Sequence, residues 1–467
     1  MEPKPMMAKA SIVIFAVSAG LPFFSTAALA KSGRALHTDE QVAALRADPA
    51  TAGTVENLRA ACAYLLNMSD EELWAFVPPP DLPRALNVRF GVGCPVHGAE
   101  VFKAGGHYPW KLDPALPFKV TCPIGGETYP TNDFAAYYRA GRKEKLDTTQ
   151  PYVDDGYGWL NDQGERFWFV GHYVFWRRWR QEVIPGISNL AHLYLLTGDP
   201  QVAHKACVML ARLAQVYPDM DYRTQAYHNG QWPSGYGGKI LDYVWENGPA
   251  KTFATAVDSL WPALVLDDDP ALAAWLRERG IADLQAYALA RLVNEGEKAV
   301  LDGNIRGNMV FQETLLHCAT VHDNHDAAQG ITTEQALDWI MWGGGEMGTM
   351  LANGVTRDGA GCESSPGYNG MWMRSFYSQA DKLRPHGIDL FAFGNGKLKK
   401  MVDYYLDITV AGEYVPSIGD INGTTNPQAK LWNAGIFRRA FDVYRDPRHA
   451  RALIQLGTAP KELYPDA

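Results

Sequence analysis

Apolar residues recur with the 3.6-residue period of amphipathic helices along most of the chain beyond residue 180. Each stretch ends at a Gly, Asp or Pro, and Gly198-Asp199-Pro200 separates the first two, as expected of a helical hairpin. Another helical pattern begins at Asp39 and ends at Phe76, before three consecutive prolines. Beyond residue 180 we expect helices at 187–196, 200–216, 251–266, 270–294, 308–322, 333–352, 371–383, 397–411 and 427–444.

Residues 90–135 interrupt this pattern. They are rich in Gly and Pro, which indicates short strands and loops in a small insert against the helical body. The rest of the chain predicts a mostly α fold, in which consecutive hairpins form either a solenoid or a closed ring. No residue-level repeat is visible, and this favours the ring.

The first 30 residues are typical of a secretory signal peptide. Lys4 and Lys9 supply the positive start, residues 10–24 the apolar stretch, and Ala28-Leu29-Ala30 a cleavage site of small residues. A retained anchor is the alternative, although Pro22 interrupts the short apolar stretch. Since no later run reaches 18 uninterrupted apolar residues, we expect a mature chain without a membrane span, exported to the periplasm or secreted. We divide the chain into the signal peptide (1–30), an N-terminal helical segment with the insert (31–135) and the helical body (136–467).

Composition restricts the class of protein. The 467 residues are 47% hydrophobic and 20% charged, as in a folded chain with two or three domains or one large helical array. The formal charge of −9 excludes the basic footprint of a general nucleic-acid binder, although a few local Arg and Lys residues can still serve an anionic substrate. The 14 Trp and 22 Tyr residues suit stacking on sugar faces, and a large core would also use them.

Six cysteines are too few for a disulfide scaffold, so the hydrophobic core must hold the fold. In an oxidising compartment a pair can still form a bridge. We expect Cys94 and Cys122 to be that pair.

Three polar stretches between the predicted helices can carry chemistry. The first, from Asp302 to Glu313, is a loop that opens a helix, with Asn308 at the helix start and Gln312 one turn further on the same face. Amides at the positive end of a helix suit a carboxylate ligand. Alternatively, Asn308 merely caps the helix.

The second stretch runs from Arg357 to Asn369. It leads through Ser365-Pro366 into a helix and places Tyr368 in the first turn, where a phenol can act as base and acid. The alternative is an ordinary amphipathic Tyr with a buried ring.

The third stretch, from Tyr227 to Asn247, combines aromatic rings, amides and a histidine before a helix, as a sugar-binding rim does. The alternative is a long structured loop with core aromatics. Its candidate residues are His228, Gln231, Trp232 and Tyr236.

Together these stretches resemble the heparinase II/III superfamily of polysaccharide lyases. The resemblance extends over residues 50–430, and residues 94–97 and 122–134 resemble an N-terminal insert of many members. It implies a secretion signal followed by an incomplete (α/α) toroid of helical hairpins, here residues 136–467. The motifs that carry it are Asp302-Gly303 through Asn308 and Gln312, Asp358-Gly359 through Glu363-Ser-Ser-Pro366-Gly-Tyr368, and Pro416-Ser-Ile-Gly419-Asp420.

The resemblance also implies roles in β-elimination, in which the C5 proton of a uronic acid is removed and the 4-oxygen is expelled. By position, Asn308 neutralises the carboxylate and Tyr368 transfers the proton. Nearby cations must then lower the phenol's usual pKa of about 10, and Arg306 and His228 are the candidates. No cofactor is required. The predicted substrate-binding residues are Arg306, Gln312, Trp232, Glu363, Gln231 and Tyr236.

Members of this superfamily usually continue into a β-sandwich that contributes a catalytic histidine. This sequence ends at Ala467, so we expect no C-terminal β-sandwich. Three expectations remain open: His228 replaces that histidine, a partner chain supplies it, or the chain is a truncated or inactive member.

The insert also departs from the superfamily pattern. Its usual pair of Cys-x-x-Cys motifs is represented by Cys94-x-x-His97 and Cys122-x-x-Gly125, with His107 as a conceivable fourth ligand. Because structural zinc sites are almost always four-coordinate, we expect a degenerate site rather than a filled one.

The leading hypothesis is a periplasmic or secreted lyase that cleaves uronic-acid-containing polysaccharides, of the glycosaminoglycan or alginate type, by β-elimination. The second is a non-catalytic glycan-binding member that lacks half of the active site. The third is a helical-ring glycoside hydrolase that uses two carboxylates, Glu246 and Glu363.

Overall fold

The computed structural model describes residues 31–307, 310–419 and 428–458, without the side chain of Gln428. Of the described residues, 56% lie in helices and 6% in strands or isolated β-bridges, and this confirms the predicted mostly α class. The signal peptide at 1–30 lies outside the described residues and stays a prediction. Within the described ranges, no helix combines the length and the apolar character needed to cross a bilayer.

Helices occur along the whole described part of the chain, and the connections between them range from a few residues to more than twenty. The α-helices of the described ranges are α1 (Asp39–Ala47), α2 (Ala52–Leu66), α3 (Asp70–Phe76), α4 (Phe102–Gly105), α5 (Phe134–Arg139), α6 (Phe169–Tyr173), α7 (Ile184–Thr197), α8 (Pro200–Val216), α9 (Tyr222–Gln225), α10 (Asn247–Leu260), α11 (Pro270–Glu278), α12 (Leu284–Ala288), α13 (Asn294–Leu301), α14 (Val310–His322), α15 (Thr333–Met341), α16 (Met347–Thr349), α17 (Pro366–Leu383), α18 (Phe393–Asp407), α19 (Ala434–Tyr444) and α20 (Pro447–Gln455).

Other helical turns extend or connect these helices. The π-helical segments Val174–Val183, Leu289–Val293 and Met350–Gly354 continue α6 into α7, continue α12 into α13, and follow α16. The 3-10 turns are Pro49–Thr51, Ala99–Val101, Tyr217–Asp219, Trp261–Val265, Ala327–Gln329 and Arg384–His386.

Strands in the described part of the chain are two residues long. They are β1 (Arg84–Ala85), β2 (Val120–Thr121), β3 (Thr128–Tyr129), β4 (Trp159–Leu160), β5 (Arg166–Phe167), β6 (Ala226–Tyr227), β7 (Tyr414–Val415) and β8 (Gln428–Ala429). β1 pairs with β6 in parallel, while β2 with β3, β4 with β5 and β7 with β8 pair antiparallel. The predicted insert of short strands and loops therefore contains β2 and β3, as expected.

Helix starts follow the capping chemistry of the sequence. Thr38, Ser69 and Thr332 each accept a hydrogen bond from the third backbone N–H of their helix, and the side chain at that position bonds back. Asp199 and Asp446 cap helices that open with proline. The predicted starts at residues 200 and 333 therefore coincide with the observed ones.

Three predicted helical stretches are broken, and several observed helices, among them α20 and the helix at 169–183, were not predicted. The pattern 39–76 forms α1, α2 and α3, because Pro49 and the Ser69 cap interrupt it. Segment 270–294 breaks at Gly280, whose φ is positive, and segment 333–352 breaks at Gly343–Gly345. The helix at 169–183 was not expected, since its buried face includes the charged residues Arg178 and Glu182.

Two hydrophobic clusters form the core, and they meet at α10 and α14. The first contains Phe253 and Cys318, and the second contains Ala250 and Leu316. The predicted insert shares the first cluster through Val101 and Val120, so the core is continuous across residue 135. α10 packs against α7 and α14, and α14 also packs against α13, α15 and α17.

An N-terminal segment is tied to α10 by a buried ion pair. Lys31 Nζ lies 2.7 Å from Asp258 Oδ1, and neither side chain is more than 1% exposed. The same carboxylate accepts hydrogen bonds from the backbone N–H groups of Ala35 and Leu36. One acidic side chain therefore fixes residues 31–36 on the helical body.

We expect Asp258→Ala to lower the free energy of unfolding by about 3–5 kcal/mol, since it leaves a buried ammonium group without its partner. Urea unfolding followed by circular dichroism measures this loss. Asp39→Ala, which removes the exposed partner of Arg34, should change the unfolding free energy little. Equal losses of unfolding free energy in Asp258→Ala and Asp39→Ala would contradict the stabilising role of the buried ion pair.

Candidate functional site

Three helices begin around one cavity. Residues from the first two turns of α10, α14 and α17 line a cavity of about 760 Å³, and the loop before α10 supplies most of the remaining wall. The N-terminal end of a helix carries partial positive charge from its backbone N–H groups. Three such ends around one cavity favour an anionic ligand group.

The loop before α10 is fixed by a buried arginine. Arg84 in β1 is fully buried, and its guanidinium donates to the Gln225 side chain (2.9 Å) and the Lys239 carbonyl oxygen (3.1 Å). β1 also pairs with Ala226 and Tyr227 of β6. The hydrogen bonds of Arg84 and the pairing of β1 with β6 therefore fix the start of the third polar stretch beside the cavity.

The first polar stretch is bonded to the third. Asn304 Oδ1 accepts from the backbone N–H of Gly238 at 2.9 Å. The buried Asn247 at the start of α10 donates to the Arg306 carbonyl oxygen at 2.9 Å and accepts from the Thr314 hydroxyl at 2.7 Å. These bonds fix the chain on both sides of residues 308 and 309.

The predicted Asn308 lies outside the described residues, so its role stays a prediction. Val310, two residues further, lines the cavity. The polar loop and the helix that flank Asn308 therefore both reach the cavity region.

The second polar stretch enters the cavity as expected from the sequence. Ser365 caps α17 and accepts the backbone N–H of Tyr368 at 3.3 Å, and Tyr368 lines the cavity from the first turn. The backbone of Gly419 packs so closely on Ser364 that a Cβ at 419 would lie 1.7 Å from the Ser364 carbonyl oxygen. The third motif of the sequence thus supports the second, while Asp420 lies outside the described residues.

His228 lines the same cavity from the third polar stretch. Its ring stacks on Tyr236 with centroids 4.3 Å apart, and its Nδ1 lies 2.9 Å from the Tyr222 hydroxyl. Burial lowers the pKa of His228, and the nearby Asp242 carboxylate opposes this only in part. The imidazole is therefore neutral at neutral pH.

The tautomer of His228 follows from its partner. Burial raises the pKa of Tyr222 well above its ordinary value, so that hydroxyl keeps its proton, and we assign it as the donor to Nδ1. The ring proton then lies on Nε2. His228 is a neutral hydrogen-bond donor, and it does not supply the positive charge that the sequence led us to expect.

Lys251 supplies a positive charge that the sequence did not indicate. Among the described residues that line the cavity, it is the only Lys or Arg. Its Nζ lies 3.3 Å from Glu313 Oε1 of α14. The residue belongs to no motif, and the only available signal is its position one turn after Asn247 on the same helix face.

The two acidic residues of the cavity wall already accept hydrogen bonds. Asp242 Oδ1 accepts from the backbone N–H groups of Val244 (3.1 Å) and Trp245 (3.3 Å). Glu363 Oε1 accepts from Trp372 Nε1 at 3.2 Å. Donors within the protein therefore already occupy some of the acceptor positions of these two carboxylates.

The other predicted binding residues divide by location. Tyr236 and Glu363 line the cavity, whereas the exposed Gln231 and Trp232 follow the cavity-lining Asn229. Trp232 packs against Trp168 in a tilted arrangement, with ring centroids 4.4 Å apart.

Arg306 and Gln312 lie elsewhere. Arg306 is exposed and donates through Nε to the Gly303 carbonyl oxygen. Gln312 is fully buried and donates to the Gly345 carbonyl oxygen at 2.6 Å. Gln312 therefore supports the packing of α14 and does not line the cavity, and its predicted contact with substrate stays a prediction.

Glu246 does not fit the hydrolase hypothesis. Its carboxylate is fully buried and accepts from the Tyr217 hydroxyl (3.0 Å) and the Leu241 backbone N–H (2.6 Å). Burial raises its pKa to about 7. A carboxyl group without access to the cavity cannot pair with Glu363 across a glycosidic bond.

The expected bridge between Cys94 and Cys122 is not formed. Both thiols are free and both sulfur atoms face Nδ1 of His97, at 3.7 Å from Cys94 and 3.5 Å from Cys122. His107, the conceivable fourth ligand, is exposed. The predicted cluster of Cys94, His97 and Cys122 is thus assembled by the insert.

Glu246 makes stability depend on pH. Its pKa is about 7 in the folded chain against an ordinary 4.5, so its contribution to stability is complete below about pH 4.5 and is lost as the pH rises through 7. We expect Glu246→Gln to gain stability relative to the wild type by about 3 kcal/mol between pH 4.5 and pH 8. Urea unfolding at several pH values measures this, with exposed Glu278→Gln as control. If the unfolding free energies of the wild type and Glu246→Gln changed in parallel with pH, the raised pKa of Glu246 would be contradicted.

Comparison with known proteins gives no assignment. No protein-family model matches the chain, and no curated protein is significantly similar to it.

Proposed function

We propose that this chain is a polysaccharide lyase that cleaves uronic-acid-containing glycans by β-elimination. The supporting observation is that Tyr368, His228 and Lys251 line one cavity together with Val310, two residues after Asn308. The cavity volume of about 760 Å³ is in the usual range for sites that bind small ligands or a few sugar units.

β-Elimination sets three chemical requirements. A base must take the weakly acidic C5 proton, and an acid must protonate the departing 4-oxygen. The electrons of the C5–H bond move toward the C6 carboxylate, so fixed donors must stabilise the negative charge that grows there. The lone pair then forms the C4–C5 double bond as the C4–O bond breaks.

Tyr368 is assigned to proton transfer. It stands in the first turn of α17, where the Ser365 cap and the hydrogen bond from the Tyr405 hydroxyl to the Pro366 carbonyl oxygen (2.6 Å) fix the backbone. One phenol serves as base and then as acid when the C5 proton and the 4-oxygen lie on the same side of the sugar ring. Asn308 is assigned to the carboxylate, on the strength of the sequence resemblance.

His228 and Lys251 take the roles of donor and cation. The neutral imidazole presents Nε2–H as its free donor, and a bond to the growing enolate strengthens as charge accumulates. The ammonium group of Lys251 supplies the positive charge that holds the carboxylate and favours the phenolate form of a neighbouring tyrosine. In this proposal Lys251 is the source of positive charge, in place of Arg306 and His228, and His228 acts as a neutral hydrogen-bond donor.

The finer features of the fold and setting belong to the same proposal. The packing of α7 on α10, α10 on α14 and α14 on α17 is compatible with consecutive hairpins of an incomplete (α/α) toroid. We propose export to the periplasm or outside the cell, an acidic polysaccharide as the partner, and chemistry that requires no redox cofactor. The glycan-binding alternative predicts binding in the same cavity without turnover.

Incubation with heparin, chondroitin sulfate and alginate tests the reaction through the ultraviolet absorbance of the new double bond. A lyase generates this absorbance, a hydrolase generates reducing ends without it, and a binding protein generates neither. We expect Tyr368→Phe to lower the initial rate by at least about 10²-fold, since proton transfer is lost.

The matched control for this variant is Tyr414→Phe, which removes an exposed hydroxyl in β7. It should retain the wild-type rate. Glycan binding by Tyr368→Phe, followed by calorimetry, should persist. Unchanged turnover in Tyr368→Phe would refute the assignment of the phenol.

Lys251→Gln tests the cation separately. Loss of a charge-assisted contact of about 1.5–3 kcal/mol should lower kcat/KM by about 10- to 100-fold and weaken its dependence on salt. Lys298→Gln removes an exposed ammonium group paired with Asp302 and should leave kcat/KM unchanged. Equal kcat/KM values for Lys251→Gln and the wild type would exclude Lys251 from substrate binding.

A further inference from the structure

Two turns of the insert bring four metal-binding side chains together. Cys94 and His97 belong to a turn closed by backbone hydrogen bonds between Cys94 and Gly98, at 3.1 and 2.8 Å. Cys122 and Glu127 belong to a second turn, in which the Cys122 N–H donates to the Glu127 carbonyl oxygen at 2.8 Å. Each pair of ligands is therefore held by its own backbone turn before any ion is considered.

The distances between the ligand atoms match a tetrahedron around zinc. Zn–S bonds of about 2.3 Å and Zn–N bonds of about 2.0–2.1 Å give tetrahedral S···N edges of about 3.5–3.6 Å. The observed edges to His97 Nδ1 are 3.7 Å from Cys94 Sγ and 3.5 Å from Cys122 Sγ. All three ligand atoms lie within 4.8 Å of one another. The three side chains thus already occupy three corners of a zinc site.

Glu127 is the acidic side chain beside this group. It is not within 4.8 Å of all three ligand atoms, so a rotation of its side chain must bring it to the fourth corner. Its Oε2 is 3.6 Å from His97 Nδ1, close to the N···O edge of about 3.3–3.4 Å that zinc bonds of these lengths produce. This oxygen is buried and accepts no hydrogen bond within the described part of the chain. A buried carboxylate oxygen is costly unless a cation or a donor compensates it.

The surroundings also suit a metal ion. Gly125 leaves room for the cluster, because a Cβ at that position would lie 2.4 Å from both Glu127 carboxylate oxygens and from His97 Cε1. The Tyr129 hydroxyl lies 3.7 Å from Cys94 Sγ, and the backbone N–H groups of Ile124 and Gly125 approach Cys122 Sγ. Donors of this kind stabilise thiolate ligands and orient them.

We propose that Cys94, His97, Cys122 and Glu127 bind one Zn²⁺ as a closed structural site. This reverses the expectation of a degenerate site, because the fourth ligand is Glu127 and not His107. The site belongs to the same insert as Tyr108, which lines the cavity. The inference is independent of the proposed lyase activity.

Metal analysis of the full chain, purified under reducing conditions with zinc present and then desalted, tests the proposal. We expect one zinc per chain by inductively coupled plasma mass spectrometry. Replacement by Co²⁺ should give the visible bands of tetrahedral cobalt with a sulfur-to-metal charge-transfer band. Chelation should lower the Tm.

Single variants identify the ligands. Cys122→Ser should abolish stoichiometric zinc, and Glu127→Gln should weaken zinc binding by at least about tenfold, judged by competition with a chromogenic chelator. His107→Gln and Cys362→Ser, which alter an exposed imidazole and an exposed thiol outside the cluster, should retain wild-type zinc. If a ligand variant does not fold, the cobalt spectrum of the wild-type chain still reports the number of sulfur ligands.

Three results would overturn the proposal. One is a reduced chain with free thiols that binds no zinc from a zinc-containing buffer. Another is zinc retained at full affinity in Cys122→Ser. The third is a Cys94–Cys122 disulfide, detected by peptide mass spectrometry, that persists as the stable form when zinc is available. Loss of zinc in His107→Gln but not in Glu127→Gln would refute the fourth ligand.

Discussion

The buried guanidinium of Arg84 fixes the loop on which the candidate site is built. Taking a cation out of water costs several kcal/mol unless hydrogen bonds compensate it. Here the compensation comes from Gln225, two residues before the third polar stretch, and from the carbonyl oxygen of Lys239 within it. Burial lowers the pKa of Arg84 to about 10, so the group remains charged at neutral pH and the loop must keep its acceptors in place. The position of His228 depends on this constraint.

The cavity lies where the two halves of the core meet. α10 and α14 contribute residues to both hydrophobic clusters, and the first turns of these helices line the cavity. Asn247 joins them through the Arg306 carbonyl oxygen and the Thr314 hydroxyl. A close-packed core resists displacement of its helices, so side chains at their first turns keep a fixed geometry. Rigid elements therefore carry Lys251 and Tyr368, and polar loops complete the wall.

The sequence predicted the helices whose signals are local. The Asp199-Pro200 start and the Ser365-Pro366 entry to α17 are examples, because capping and proline geometry act over four residues. The placement of Tyr368 in a first turn follows from the same signal. The burial of Gln312 and Glu246 could not be predicted, since each depends on a contact with a distant or differently folded segment. Lys251 and Glu127 were missed because their importance arises only when separate turns and helices meet.

The charge of the whole chain does not decide what this cavity binds. The net charge of −9 is spread over the surface, and solvent ions screen it beyond about 8–10 Å. Within the cavity, Asp242 and Glu363 already accept hydrogen bonds, whereas Lys251, which is paired with Glu313, and His228 supply the donors. The balance among these donors matters for catalysis. A cation binds a carboxylate in the ground state and in the transition state, while the bond from a neutral imidazole strengthens as the enolate charge develops. For the proposed reaction, burial of His228, which keeps the ring neutral, therefore favours the elimination step over tight binding of the intact glycan.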